Sequence, residues 1–330
     1  MQTIRTSDRG YFKRCRQLWN WTSVLRENLE PYQRVEALDL GTAIHAALES
    51  YYNPDRWGDY AAMEQEATNA FLAFVAEVEE LVQEAPIDIE IDFEAQKELG
   101  LGMLHHYFRW APNHDDFTPV RVEVEFEVPI PALPEAVYQG RVDLLAEDEH
   151  GLWIVDHKTA GQFGATEWLV LDDQCSSYAW ALRKQLGLEV RGVIYNELRK
   201  KAPHKPLILK NGTLSLNKSQ ETTYELYMEM ISELGLSIGD YDGILEYLLS
   251  QNDRYFRRTR VTFNPQMLQL VEQRILLEAH EMIDDPAIYP TPSRFNCTGC
   301  RFFAPCVALQ EGADYTAILN ENYERRTGNG

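Results

Sequence analysis

Long apolar runs are missing from this 330-residue chain. No stretch reaches the about 18 consecutive apolar residues that a membrane-crossing helix needs, so no such span is expected. The opening residues, Met1 to Asp8, lack the apolar core of a secretory leader, and a cytoplasmic protein is the expectation. Cysteine is scarce, with five residues. A reducing compartment leaves those thiols free unless they bind a metal, which argues against a disulfide framework. Positive charge is short as well: 31 Lys and Arg against 52 Asp and Glu give a net charge of −21. At face value that balance opposes binding to a polyanion. Repeats and low-complexity tracts are absent too. What remains, 45% hydrophobic and 25% charged residues, is the composition of a globular protein with a sizeable core.

The charge is unevenly spread. Residues 61–94 hold ten Asp or Glu and no Lys or Arg, which reads as a solvated acidic surface. Residues 183–218 carry nine Lys or Arg against Glu189 and Glu197, and Arg254 to Arg260 form a second basic cluster. A groove that follows phosphates needs its positive charge locally, not globally, so Lys200, Lys201, Arg257 and Arg258 are candidate nucleic-acid contacts. An ordinary solvated surface is the competing reading.

The periodicities place helices before strands. Ser7 to Trp21, a helix opening near Asp39, residues 59–83 and Glu94 to Trp110 all show apolar residues at helical spacing. Val120 to Val128 then alternates strictly, with Val122, Val124, Phe126 and Val128 on one face. Pro129, Pro131 and Pro134 break it into a loop. Two further strands follow, Val137 to Val142 and Leu152 to Val155, joined by an acidic turn at Glu147 to Gly151. A helix from Thr166 to about Leu186 and a strand Val190 to Leu198 complete the core. A basic insertion covers Lys200 to Ser219, and helices resume at 222–234, 241–249 and 265–283. Arg325 to Gly330 read as disordered. The order predicts an α/β core inside a helical envelope.

Chemistry concentrates where the two strands end. Asp143 closes Gly140-Arg-Val-Asp143, and Asp156 and Lys158 lie two apart in Val155-Asp-His-Lys158. In a strand Asp156 and Lys158 leave the same face, at the end of an apolar run that has no structural use for them. Two neighbouring carboxylates repel unless a cation lies between them. A divalent metal beside a lysine is equipment for phosphodiester hydrolysis. On the following helix, Gln174 and Tyr178 share a face and can hold a phosphate or orient Lys158. The imidazole of His157 points to the opposite face, where packing is its expected role. His45, among small and apolar residues in Gly41-Thr-Ala-Ile-His45, reads by itself as a core residue. Glu123 and Glu125 could add a further carboxylate, although a solvated strand face explains them equally.

Among the cysteines, Cys297-x2-Cys300-x5-Cys306 has the compactness of a metal site with three ligands, one short of closure. Cys15 can be the fourth if the two ends of the chain meet. Cys175 reads as a small buried residue.

Taken in order, Gly41-x3-His45, Gly140-x2-Asp143, Val155-Asp156-x-Lys158-Thr159 and Gln174-x3-Tyr178 resemble the PD-(D/E)XK nuclease superfamily. The resemblance is to the RecB-like branch, with the CRISPR-associated RecB-like exonucleases and their phage relatives, and it runs from Cys15 to Cys306. It implies a restriction-endonuclease-like central mixed sheet with a crossover helix. His45, Asp143, Asp156 and the backbone carbonyl of His157 would bind Mg²⁺ or Mn²⁺. Lys158 would orient or help deprotonate the attacking water. Cys15, Cys297, Cys300 and Cys306 would hold a [4Fe-4S] cluster that clasps the two ends, with a four-cysteine zinc site as the alternative.

The expectation is one nuclease domain over residues 1–330: a helical part (1–118), a catalytic core (119–200), and a part with the basic insertion, C-terminal helices and cysteines (201–330). Its activity would be metal-dependent DNA exonuclease cleavage, preferring single-stranded ends, in recombination, repair or DNA processing. Besides DNA, a second copy of the chain or recombination and adaptation proteins are candidate partners, and a phage-encoded chain would act in the host cytoplasm. The alternatives are a non-catalytic DNA-binding or assembly module on a nuclease fold and a zinc-containing hydrolase.

Overall fold

The computed structural model describes residues 1–32, 39–82, 87–284 and 286–326. In chain order the elements are β1 (Gln2–Arg5), α1 (Thr6–Arg14), α2 (Arg16–Thr22), β2 (Leu29–Pro31), α3 (Leu40–Tyr51), α4 (Tyr60–Val82) and α5 (Ile87–Trp110). The sheet region follows with β3 (Thr118–Ile130), β4 (Leu133–Asp148), β5 (Gly151–Ala160), α6 (Gln174–Leu186) and β6 (Val190–Arg199). Then come α7 (Tyr224–Glu233), α8 (Asp242–Ser250), β7 (Phe256–Thr262), α9 (Pro265–Ile283), α10 (Arg294–Cys297), α11 (Phe303–Glu311), α12 (Tyr315–Asn322) and β8 (Tyr323–Arg325).

The six-stranded sheet runs β1-β4-β5-β6-β7, with β3 paired to β4 outside that path. β1 is parallel to β4 and β5 to β6, while the other pairs are antiparallel, so the sheet is mixed. Helix α6 makes the crossover that parallel strands β5 and β6 require. Apolar side chains alternate between two helical layers. Val155, Ile194 and Leu198 pack with α3, α4 and α5, whereas Ile154, Val193 and Tyr195 pack with α1, α6 and α9. This is the predicted α/β core with helices on both faces.

Several boundaries differ from the periodicity reading, each for a local reason. The first helix breaks at Cys15, which adopts extended backbone between α1 and α2. The prolines do not open a loop. β3 runs through Pro129 and β4 starts before Pro134, leaving a tight turn at Pro131 and Ala132 with Ala132 at φ +64°. Among the described residues β3 pairs with β4 alone, and a strand edge left unpaired tolerates the missing proline donor. The helix read from Thr166 is a short 3-10 turn, Thr166–Val170, followed by α6 from Gln174. The basic cluster at Arg254 to Arg260 is largely a strand, β7, antiparallel to β6. Residues 327–330 lie outside the described residues.

A second, two-stranded sheet joins β2 to β8, with Leu29 opposite Arg325. The N-terminal helices and the C-terminal segment therefore meet. Leu18, Trp21, Phe302 and Tyr323 form a small core between them, with Cys15, Cys300 and Cys306 packed against it.

Candidate active site

Asp143 lies inside β4, which continues to Asp148, so it does not end its strand as the run of residues suggests. What ends there is the pairing. The β4–β5 ladder stops at Leu144 opposite Val155, directly before Asp143 and Asp156. The two strands then part, and the N–H of His157, free of the ladder, donates to Oδ2 of Asp143 at 2.9 Å. Asp156 is buried at 3% exposure. Apart from the Lys158 ammonium at 2.9 Å, its Oδ2 has no hydrogen-bond partner among the described residues. Burial raises the Asp156 carboxyl above its ordinary range. Lys158 opposes the shift and nearby Asp143 adds to it.

Two glycines of the motifs have steric reasons. A Cβ on Gly140 would stand 2.5 Å from both the Phe126 ring and the Thr6 hydroxyl, so only glycine lets these groups approach β4. A Cβ on Gly41 would come within 3.3 Å of Thr159 Oγ1 and 3.2 Å of Asp39 Oδ1. Gly41 thus lets the start of α3, capped by Asp39, rest against the end of β5. His45 follows one turn later, with its Nδ1 3.7 Å from Asp143 Oδ2.

Lys158 and α6 meet as the spacing suggests. The Lys158 ammonium donates to Gln174 Oε1 at 3.0 Å, and the Gln174 amide donates to the Tyr178 hydroxyl at 2.7 Å. Burial by itself would lower the Lys158 pKa, but Asp156 beside it holds it above the usual lysine range. The amine is therefore a charged donor shared between a carboxylate and an amide.

His157 points to the opposite face, as its alternation requires, but it does more than pack. It is 3% exposed and held neutral, its pKa pushed well down by burial and then by the charges of His45 and Arg258. Tyr52 stacks on it at 5.6 Å between centroids and His45 meets it edge-on at 5.9 Å. The Asn196 amide lies 2.7 Å from His157 Nδ1 and 2.8 Å from the Tyr107 hydroxyl. Behind them, Arg258 donates to the Tyr52 and Tyr107 hydroxyls and pairs with Asp115. Of the members that sequence reasoning missed, Asn196 carries a signal, as a polar residue within the β-branched run of β6. Asp115 shows none.

Arg258 is thus corrected from surface cation to buried anchor, with its side chain 12% exposed. Arg257 is likewise engaged, bonded to both carboxylate oxygens of Glu197 at 2.7 and 2.8 Å. A strand that pairs its arginines with neighbours does not offer them to a phosphate. Lys201 pairs with Glu221, while Lys200 is exposed and has no ion-pair partner among the described residues.

Cys15, Cys297, Cys300 and Cys306 line one cavity, with Trp21 and Phe302 among its walls. All are free thiols, and Thr291 N–H donates to Cys15 Sγ at 3.4 Å. Burial raises the Cys306 thiol pKa, and the other three cysteines add to the rise. Cys175 is fully buried elsewhere, in the first turn of α6. Among the described residues, no group of three His, Cys, Asp or Glu side chains is closed into a metal-ligating arrangement.

The donors at the aspartates are nevertheless of the kind a hard divalent ion takes: the His45 imidazole lies 3.7 Å from Asp143, and among the described residues Lys158 alone compensates a buried oxygen of Asp156. No curated protein matches the chain. A crystal structure from Eubacterium rectale, described as a "Putative exonuclease", superposes with a TM-score of 0.47 at 9% identity, covering 91% of this chain and 87% of that one. The sequence profile of the PD-(D/E)XK nuclease superfamily matches residues 9–307. That match takes in α3 with His45, both aspartate strands, Lys158 and the crossover helix, and the chain belongs to the PD-(D/E)XK nuclease superfamily.

Proposed function

We propose that this protein is a metal-dependent DNA exonuclease of the RecB-like branch, a single domain that prefers single-stranded ends. The observation that carries the reading is the opening of β4 from β5 at two carboxylates, with a lysine shared between Asp156 and Gln174. His45, Asp143, Asp156 and the His157 carbonyl would hold Mg²⁺ or Mn²⁺. Such an ion stabilises the charge that develops on a phosphate under attack and makes a water more acidic. Lys158, kept charged, would donate to the attacking water or to a phosphate oxygen. Gln174 and Tyr178 fix the direction of that donor. Lys200 supplies local positive charge on a chain whose overall charge repels DNA.

Cys15, Cys297, Cys300 and Cys306 would hold a [4Fe-4S] cluster. Supporting this are their shared cavity and the β2–β8 pairing that brings the chain's ends together. A cluster there would cross-link the two ends and leave the chemistry to the aspartates.

The test uses purified protein with linear end-labelled, end-blocked and circular DNA, with and without Mn²⁺, beside the Asp156→Asn variant. Metal-dependent loss of open-ended strands, sparing circles and absent from the variant, is the expected result. Binding without degradation would make the protein a non-catalytic module, and cutting of circles would make it an endonuclease.

A further inference from the structure

The chain has seven tryptophans. Trp19, Trp21, Trp110, Trp153 and Trp180 are buried and Trp57 is half-buried, whereas Trp168 is 69% exposed. It sits in the 3-10 turn Thr166–Val170, on the segment that joins β5 to α6. Lys158 and Gln174, bonded to each other at 3.0 Å, stand near the two ends of that segment, so both ends are anchored at the candidate active site. Its middle is anchored too: Leu169 packs on the core of that face, and its carbonyl accepts the Tyr195 hydroxyl at 3.3 Å. Trp168, Val170 and Leu171 are turned outward as an apolar surface. A contiguous exposed apolar patch beside a polar centre marks a binding surface.

The neighbouring charge says what binds. Lys200 N–H donates to the Ala160 carbonyl at 2.8 Å, and Arg199 Nε donates to the Gly161 carbonyl at 3.2 Å. These two cations therefore leave β6 at the root of the same segment. An open cleft there is lined by Gln162, Phe163, Arg199 and Arg254, with Asp253 as its one acidic residue. Cations for phosphates and an exposed indole for a base are the two requirements of a single-strand site.

We propose that Trp168 is a stacking platform for an unpaired nucleobase, on a DNA strand whose phosphates pass Arg199 and Lys200 on the way to Asp143 and Asp156. The proposal rests on the nuclease reading and gives its strand preference a physical origin. Within a duplex both faces of a base are already stacked on neighbours, so only an unpaired base can lie on the indole. Stacking is tolerant of base identity, as suits an enzyme that consumes any sequence.

The experiment measures binding in EDTA, where cleavage cannot interfere. A short fluorescent single-stranded oligonucleotide is compared with versions carrying one abasic position, scanned along the strand, for wild type, Trp168→Ala and Trp168→Phe. Stacking of ~1–3 kcal/mol per base corresponds to roughly 5- to 150-fold in affinity. Trp168→Ala should lose a factor in that range and Trp168→Phe should recover most of it. One abasic position should cost wild type a similar factor and Trp168→Ala nothing more. An abasic penalty that persists in Trp168→Ala overturns the proposal, as does unchanged binding by that variant. Self-association of wild type that Trp168→Ala abolishes, without any dependence on a base, would instead make the patch a contact between copies. A wild type that shows the abasic dependence yet degrades no DNA in Mn²⁺ would sink the nuclease reading and leave the platform standing.

Discussion

Glu123 on β3 stands opposite Asp143 on β4, between the paired residues Val122–Leu144 and Val124–Val142, and has φ +48°. Both strands change face at this point. Val122 and Leu144 pack with α3 to α5, whereas Val124 and Val142 pack on the opposite side. The strict alternation read in Val120 to Val128 is therefore broken by one residue in the left-handed region, beside a candidate metal ligand. Arg141 pairs with Glu123, yet burial raises the Glu123 pKa to about 7, despite Arg141 and with help from Asp143. A non-glycine residue in that region costs of order 1–3 kcal/mol, and such strain collects at functional sites.

Glu123→Gly removes that strain and a buried carboxylate, while losing the one ion pair its Oε2 makes with a largely exposed arginine. The variant should gain about 1 kcal/mol of stability in urea unfolding and lose cleavage activity. Lower stability with full activity would show that Glu123 serves the fold alone.

Arg258 and Asp115 form a buried pair, and breaking such a pair from one side costs about 3–5 kcal/mol. Arg258→Met should destabilise the protein by that order, measured by denaturant unfolding. Adding Asp115→Leu should recover much of the loss, because no charge is then stranded. If Arg258→Met unfolds at the wild-type midpoint, the network does not support the fold.

Cys15→Ala should abolish bound iron and the brown colour of anaerobically purified protein, and Cys175→Ala should leave both. Metal analysis and the visible spectrum report the outcome. A colourless wild type containing zinc would remove the iron–sulfur assignment.

His106 packs beside the insertion, where burial, with neighbouring His105 and Arg109, lowers its pKa to about 4. The unfolded chain, at about 6.5, takes up that proton first. Its contribution to stability is therefore complete above about pH 6.5 and is lost as pH falls through about 4. Substituting His106 with asparagine should flatten the fall in unfolding free energy between those values. An unchanged slope would assign the acid sensitivity to other groups.

Much of this was legible from short-range pattern. Asp156 and Lys158 sharing a face, Gln174 reaching Tyr178, and His157 facing away all follow from strand and helix periods. β1 and β7 were missed because β1 is four residues long and β7 is arginine-rich, so neither carries an alternating apolar signal. The pairing of Arg257 and Arg258 was hidden for a related reason. A basic run looks the same whether its partners are phosphates or carboxylates brought from Asp115 and Glu197.

Residue order alone therefore determined the chemistry present: two aspartates, a lysine and a histidine in the order of a nuclease superfamily, and cysteines at the two ends. Only the tertiary structure decided which of them meet. Opening the β4–β5 ladder at Asp143, kinking β3 at Glu123 and pairing β2 with β8 are long-range events. Their energetics depend on packing between distant segments, which local spacing does not encode. Exposure was decided the same way: burial in the network withdrew Arg258 from the surface, while the anchoring of Leu169 turned Trp168 toward it.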